Sequence, residues 1–183
     1  MRVIAGKYKG RKLVEFENEN TRPTLDRVKE SIFDVINFFV EDSLVVDLFA
    51  GTGALGIEAI SRGAKKVFFV DNNKRALEVI NSNVNSLGVD AEIQNVDYLK
   101  FLKNLNIKVD IFLLDPPFKT DFAKKAIEFI YENNLLAKDG VIVWEKGFDN
   151  SEFHFDFDCK VKKYGTVQVV FLYNKKGNQW YTK

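Results

Sequence analysis

Leu44-Val45-Val46-Asp47-Leu48-Phe49-Ala50-Gly51-Thr52-Gly53-Ala54-Leu55-Gly56 reads as a buried strand that runs into a glycine-rich turn and then a helix. Gly51 and Gly53 permit a tight turn and close approach by a ligand, while Gly56 lets the following helix pack on the sheet. A glycine pattern of this kind is weak evidence alone. Its surroundings give it weight.

Downstream, short apolar runs at 67–70, 91–93, 111–114 and 141–144 continue the series begun at 44–48. They alternate with helical stretches at 54–62, 73–87, 97–104 and 121–133, with Gly63 and Gly88 placed as C-terminal caps. Repeated strand-helix alternation predicts an α/β fold with a doubly wound, mostly parallel sheet covered on both faces. Upstream, Val28, Ile32, Val35, Ile36 and Phe39 recur at helical spacing after Pro23 and Thr24, and residues 2–16, punctuated by Gly6 and Gly10, predict a small N-terminal β-hairpin. The runs 153–157 and 167–173, joined by a lysine-rich turn containing Gly165, predict a C-terminal antiparallel hairpin that brings the sheet to seven strands.

In such a sheet, ligands bind beyond the carboxyl ends of the strands, where the strand order reverses. Asp71 ends the second strand twenty positions after Gly51, where a carboxylate can accept both hydroxyls of a ribose. Asp97 follows the third strand and can receive the amino group of an adenine. Phe49, Ala50 and Thr52 in the turn, with Asn72 and Tyr98 beside the two aspartates, complete the candidate cofactor set. Asp47 discriminates between cofactors: a carboxylate just before the glycine turn repels a pyrophosphate and attracts a cationic amino-acid tail. S-adenosylmethionine has such a tail, whereas a nicotinamide dinucleotide does not.

The fourth run, Ile111-Phe112-Leu113-Leu114, stops at Asp115-Pro116-Pro117-Phe118. An exocyclic base nitrogen is a poor nucleophile because its lone pair is delocalised into the ring. If the Asp115 carboxylate and the Pro116 carbonyl each accept one of its hydrogens, the nitrogen is biased toward tetrahedral geometry and its lone pair turns toward a methyl donor. Pro117 lacks an amide hydrogen and stiffens the turn, and Phe118 can stack on a base swung out of its helix, a contact worth about 1 to 3 kcal/mol.

The chain has 183 residues, 46% hydrophobic and 29% charged, enough for one sizeable core. No stretch approaches the roughly 20 apolar residues that span a bilayer, and the opening residues lack the apolar core of a secretion signal. With Cys159 as the single cysteine, the expectation is the reducing cytoplasm. No metal-ligand spacing occurs, and His154, the single histidine, reads as structural. The net charge of +1 conceals a segregation: residues 1–12 carry five basic and no acidic side chains, and residues 160–183 carry six lysines and no acids. Two basic ends can meet as one phosphate-binding face, with Tyr8, Tyr164, Trp180 and Tyr181 interleaved.

Taken together, the chain resembles the RsmD family of bacterial 16S ribosomal RNA guanine-N2 methyltransferases, which belong to the class I, Rossmann-like enzymes that use S-adenosylmethionine. The likeness extends over essentially the full length. It includes the opening Arg2 to Leu13, the segment Arg22-Pro23-Thr24 with Arg27-Val28-Lys29-Glu30, the glycine turn, Asp115 to Phe118, and Tyr164-Gly165-Thr166. The resemblance implies a basic hairpin extension at 1–20 and a methyltransferase domain at 21–183. It also implies methylation of the N2 amine of a guanine in 16S rRNA, within the small ribosomal subunit, with Asp115 and Pro116 gripping the amine. Arg2, Lys7, Lys9, Arg11, Lys12, Arg22, Arg27 and Lys29 are then expected at RNA phosphates. Three rivals remain: an adenine-N6 methyltransferase, which shares both motifs; a dinucleotide-dependent dehydrogenase, disfavoured by Asp47 and the Pro-Pro turn; and a noncatalytic RNA-binding module, disfavoured by two intact motifs.

Overall fold

The computed structural model describes residues 1–15, 26–117, 119–147 and 155–175. Arg22, Phe118, His154 and the residues beyond Lys175, with Trp180 and Tyr181, lie outside them. Within the described residues, Val45 and Val46 are fully buried neighbours on β1 (Leu44–Asp47), yet they belong to two different cores. Successive side chains of a strand face opposite sides, so a strand apolar at every position must be covered twice.

One cover consists of α1 (Asp26–Val40), α2 (Ala54–Ser61) and α3 (Lys74–Leu87); the other consists of α4 (Tyr98–Asn104) and α5 (Phe122–Glu132). Between them lie β1, β2 (Lys66–Asp71), β3 (Glu92–Asn95), β4 (Val109–Leu114), β5 (Leu136–Gly147), β6 (Phe157–Tyr164) and β7 (Val167–Asn174). The sheet order is β3-β2-β1-β4-β5-β7-β6, parallel from β3 through β5, with β7 antiparallel to β5 and to β6. The order reverses between β1 and β4. The expected seven-stranded, mostly parallel sheet with a C-terminal hairpin is therefore present, and its switch point sits where the glycine turn and the Asp-Pro-Pro turn both emerge.

Helix ends follow local chemistry. Asn73 accepts the N–H of Arg75 and caps α3, which Gly88 closes at φ +62; Asp97 accepts from Leu99 and Lys100 and caps α4.

The C-terminal hairpin departs from the expected boundaries. β6 occupies residues 157–164, so Lys160, Lys162 and Lys163 belong to the strand rather than to a turn, which shrinks to Gly165 and Thr166. As the outermost strand among the described residues, β6 pairs on one side alone, and lysines suit such an edge because they oppose pairing with another chain.

The N-terminal hairpin is smaller than its sequence alternation implies. A single bridge pairs Arg2 with Lys12, flanked by Val3 N–H to Arg11 O, Gly10 N–H to Val3 O, and Leu13 N–H to Met1 O. The arm is clamped to the helices. Val3 and Leu13 are buried in the core that includes α1 and α2. Gly6, at φ +79, lies so close to α2 that an added Cβ would fall 1.8 Å from the Ser61 carbonyl oxygen, so only glycine fits.

Glu58, fully buried on α2, accepts the N–H groups of Ile4 at 2.8 Å and Ala5 at 3.0 Å, the Arg62 guanidinium at 2.9 Å, and the Lys29 ammonium at 3.4 Å. Lys29 also donates to the Arg2 carbonyl at 2.5 Å. This corrects the expectation for Lys29: its side chain is 0% exposed, and its charge serves the junction between arm, α1 and α2 rather than an RNA phosphate. Burial lowers its pKa, and the Glu58 carboxylate opposes that shift.

Candidate active site

Asp47 pairs in register with Phe69 of β2 on one side and Leu113 of β4 on the other. Asp71 is two residues beyond Phe69, and Asp115 is two residues beyond Leu113. Three neighbouring strands thus release three carboxylates at one edge of the sheet, each outer one about 7 Å further along its strand than the central one.

Asp47 is 1% exposed, and its Oδ2 accepts the Gly56 N–H at 2.9 Å. Burial raises its pKa to about 7; the charges of Asp115 and Asp71 push the same way, against the Gly56 hydrogen bond. A buried carboxylate facing two others is a site of strong negative potential, suited to a cationic ligand.

The glycine turn is built as its sequence demands. Gly53 takes φ +77 as the N-cap of α2, a left-handed conformation that costs other residues about 1 to 2 kcal/mol. Gly56 answers a different need: an added Cβ would lie 2.3 Å from the Phe69 ring, so its absence sets the distance between α2 and the sheet.

Asp71 does more than end β2. Its Oδ2 accepts the Gly51 N–H at 2.9 Å and its Oδ1 accepts the Asn73 N–H at 2.8 Å, so one carboxylate joins the β1–α2 and β2–α3 turns. Asp97 uses Oδ1 to cap α4. Beside it, Tyr98 packs at a tilt against Phe49 with 5.0 Å between ring centroids, and both meet Phe122 of α5, at 5.4 and 6.4 Å. Phe122 was not legible as a site residue. Its only signal is its place at the head of the helix that follows the Asp-Pro-Pro turn. The three rings join the first turn of the sheet to the caps of α4 and α5 and make an apolar wall beside the carboxylates.

On the β4 side, Pro116 is buried, Asp115 and Pro117 are half-buried, and the Pro117 carbonyl accepts the Thr120 hydroxyl at 2.8 Å. Lys119 follows at φ +72, an uncommon conformation for a residue with a side chain, of the kind held in place at functional turns.

Basic side chains expected at a phosphate surface sort into three groups. Arg2 and Arg27 are exposed near the start of α1, where Arg2 pairs with Asp26, and Lys12 is bridged to Arg2 through the backbone. Lys7, Lys9 and Arg11 are exposed at the other end of the arm: the Lys7 N–H meets the Ser61 carbonyl at the end of α2, and the Arg11 guanidinium donates to the Ser86 carbonyl at the end of α3. Lys29 is buried. Among the described residues no group of three or more His, Cys, Asp or Glu side chains could hold a metal ion, and no described helix is long and apolar enough to cross a membrane. The Cys159 thiol, on the exposed edge strand, is pushed up by burial of its sulfur rather than activated.

The chain is similar to known proteins. The family described as Conserved hypothetical protein 95 matches residues 1–173. Ribosomal RNA small subunit methyltransferase D of Haemophilus influenzae is 40% identical over 150 residues, which cover 79% of this chain and 78% of that protein.

The chain belongs to the RsmD family.

YlbH of Bacillus subtilis, a candidate rRNA methyltransferase, is 40% identical over 184 residues, covering 97% of this chain and 100% of the relative. Among solved structures, that of yhhF, a candidate methyltransferase from Escherichia coli, matches with a TM-score of 0.87 at 27% identity over 96% of this chain and 98% of that one. As an RsmD-family protein, the chain is a methyltransferase by relationship.

Proposed function

We propose that this chain transfers the methyl group of S-adenosylmethionine to the N2 amine of a guanine in 16S ribosomal RNA. The observation that carries the reading is the register of Asp47 between Asp71 and Asp115, which sets a cation-attracting carboxylate beside a turn suited to grip an amine. RNA as substrate is supported by the RsmD-family relatives, which are named for ribosomal RNA of the small subunit.

The residues fit this cofactor. Asp47, pushed up to about 7 by burial and, to a smaller extent, by its two neighbouring carboxylates, is stabilised in its charged form by an incoming cation. Gly51 and Gly53 leave their backbone open to close approach, Asp71 is placed to take the ribose hydroxyls while fixing the turn, and Asp97 with Phe49 and Tyr98 suits the adenine end. Bound S-adenosylmethionine supplies an electrophilic methyl group on a sulfonium.

Across the switch point, the Asp115 carboxylate and the Pro116 carbonyl accept the two hydrogens of the target amine, which turns its lone pair toward that methyl. Asp115 is then placed to take the proton released on transfer. The Thr120 hydroxyl on the Pro117 carbonyl keeps the turn from relaxing while it does so.

The topology also favours an RNA face at this edge. β7 is antiparallel to β5 and its first residue, Val167, pairs with Gly147, so the turn at Gly165 lies at the carboxyl-end edge of the sheet. Tyr164, before that turn, shares a hydrogen bond with Ser31 on the second turn of α1. Lys163 next to Tyr164, and Arg2 and Arg27 at the start of α1, are the basic side chains we assign to this face. Lys7 sits at the far end of α2 and Arg11 at the far end of α3, where they suit phosphates away from the target nucleotide.

Labelled S-adenosylmethionine offered to small ribosomal subunits, naked 16S RNA and duplex DNA tests the reading. Label is expected at guanine N2 in one of the ribosomal samples. Label in DNA alone would transfer the assignment to an adenine-N6 enzyme with the same amine grip.

A further inference from the structure

Asn83 lies on α3, 1% exposed, and spends its whole side-chain amide on two distant segments. Its Oδ1 accepts the N–H of Val14 at 2.7 Å; its Nδ2 donates to the Val14 carbonyl at 3.0 Å and to the Thr52 carbonyl at 3.0 Å. Val14 lies in the basic N-terminal arm, and Thr52 lies between Gly51 and Gly53 in the glycine turn. An amide group is planar, so its two ends cannot turn independently. Any displacement of Val14 that rotates the amide also withdraws the donor from Thr52, and the buried Asn83 side chain loses a partner when it does.

Nothing in the chemistry of methyl transfer requires this residue, and packing alone does not explain it, since an apolar side chain would fill the same space. We propose that Asn83 is a positioning residue that couples the arm to the cofactor turn, so that RNA on the arm and S-adenosylmethionine in the turn each raise the affinity for the other. The coupling rests on the function proposed above. Its physical source is shared order: RNA that holds the arm in its docked position fixes the Asn83 amide, and the fixed amide holds the Thr52 carbonyl where the cofactor needs it. Because coupling between two binding sites is reciprocal, the same factor must appear in both directions.

The experiment compares two affinities in the intact chain by calorimetry: that of S-adenosylhomocysteine, which cannot react, with and without saturating 16S RNA, and that of 16S RNA with and without saturating S-adenosylhomocysteine. The wild type is expected to show the same ratio both ways, about five-fold or more. In Asn83→Ala the ratio falls to about one, whatever happens to either affinity alone. A residue that merely stabilises the fold would weaken both affinities and leave the ratio unchanged. Val14→Pro provides a second test should Asn83→Ala fail to fold, because it removes the N–H that Asn83 accepts while its own side chain is 51% exposed. A wild-type ratio of one, or a wild-type ratio retained in both variants, overturns the coupling while leaving the methyltransferase reading intact. Absence of RNA binding by the wild type defeats both.

Discussion

Asp71 accepts the N–H of Gly51 at 2.9 Å from twenty residues downstream, and through its second oxygen it accepts the N–H of Asn73 at 2.8 Å. The residue placed to hold a ribose is therefore also the one that shapes the turn around it. Asp71→Asn keeps the volume but replaces one acceptor with a donor pointed at a backbone N–H. With a charge-assisted hydrogen bond worth about 1.5 to 3 kcal/mol, S-adenosylmethionine affinity is expected to fall by roughly one to two orders of magnitude. Calorimetric titration of the variant reads this directly.

Asp115→Ala separates binding from chemistry. With the carboxylate assigned to the amine rather than to the cofactor in the proposed function, methyl transfer to 16S RNA is expected to drop by at least about a hundred-fold, the scale on which a single group stabilising a transition state acts. S-adenosylmethionine affinity is expected to stay within a few-fold of the wild type. Single-turnover transfer and equilibrium dialysis together check both halves.

The parallel core was legible because strands covered on both faces are continuously apolar, and the runs at β1, β4 and β5 stand out between amphipathic helices. The carboxylates were legible for a related reason: Asp47, Asp71 and Asp115 each terminate an apolar run, where a charge is conspicuous. Two features escaped. The lysine-rich part of β6 reads as a turn in the sequence because lysines on an edge strand look like a solvated loop when its partner β7 is not in view. Lys29 was read as a surface charge because its partner Glu58 is 29 positions away in sequence and one helix away in space. Phe122 and Asn83 share that difficulty, since what they touch is set by tertiary packing rather than spacing.

The Glu58 junction predicts an asymmetric response. Glu58→Ala leaves the Lys29 ammonium buried beside a cavity and leaves the N–H groups of Ile4 and Ala5 unpaired, so a loss of about 3 to 5 kcal/mol is expected. Lys29→Met removes the buried cation but leaves Glu58 with Arg62 and both N–H groups, and is expected to cost much less. Urea unfolding of the two variants at pH 7 gives the comparison.

Deleting the basic arm would not test its charges, because Val3 and Leu13 belong to the core and their loss would unfold the site. Replacing Lys7, Lys9 and Lys12 by Gln leaves the packing in place, as all three are exposed. For three phosphate contacts on single-stranded RNA, the slope of log affinity against log salt is expected to become shallower by about 2. Filter binding of 16S RNA between 50 and 200 mM salt, roughly the range over which such contacts weaken, measures the slope.

Asp47 ties cofactor binding and stability to pH with opposite signs. Its folded pKa, about 7, lies above the model-peptide carboxylate value of 3.8, so the folded protein holds a proton that the unfolded chain has lost between those values. Without cofactor, stability contributed by this group therefore falls as pH rises from about 4 to 7 and stays low above that. A cationic cofactor prefers the ionised carboxylate, so S-adenosylmethionine affinity should rise over the upper part of the same window and level off above pH 7. Asp47→Asn removes the charge from both balances. At pH 8 it is expected to raise the melting temperature of the cofactor-free protein, with up to about 4 kcal/mol of ionisation penalty removed, and to weaken S-adenosylmethionine binding while abolishing its dependence on pH near 7. Thermal denaturation of the cofactor-free protein and calorimetric titration, both at pH 6, 7 and 8, would show the two opposed trends in the wild type and neither in the variant.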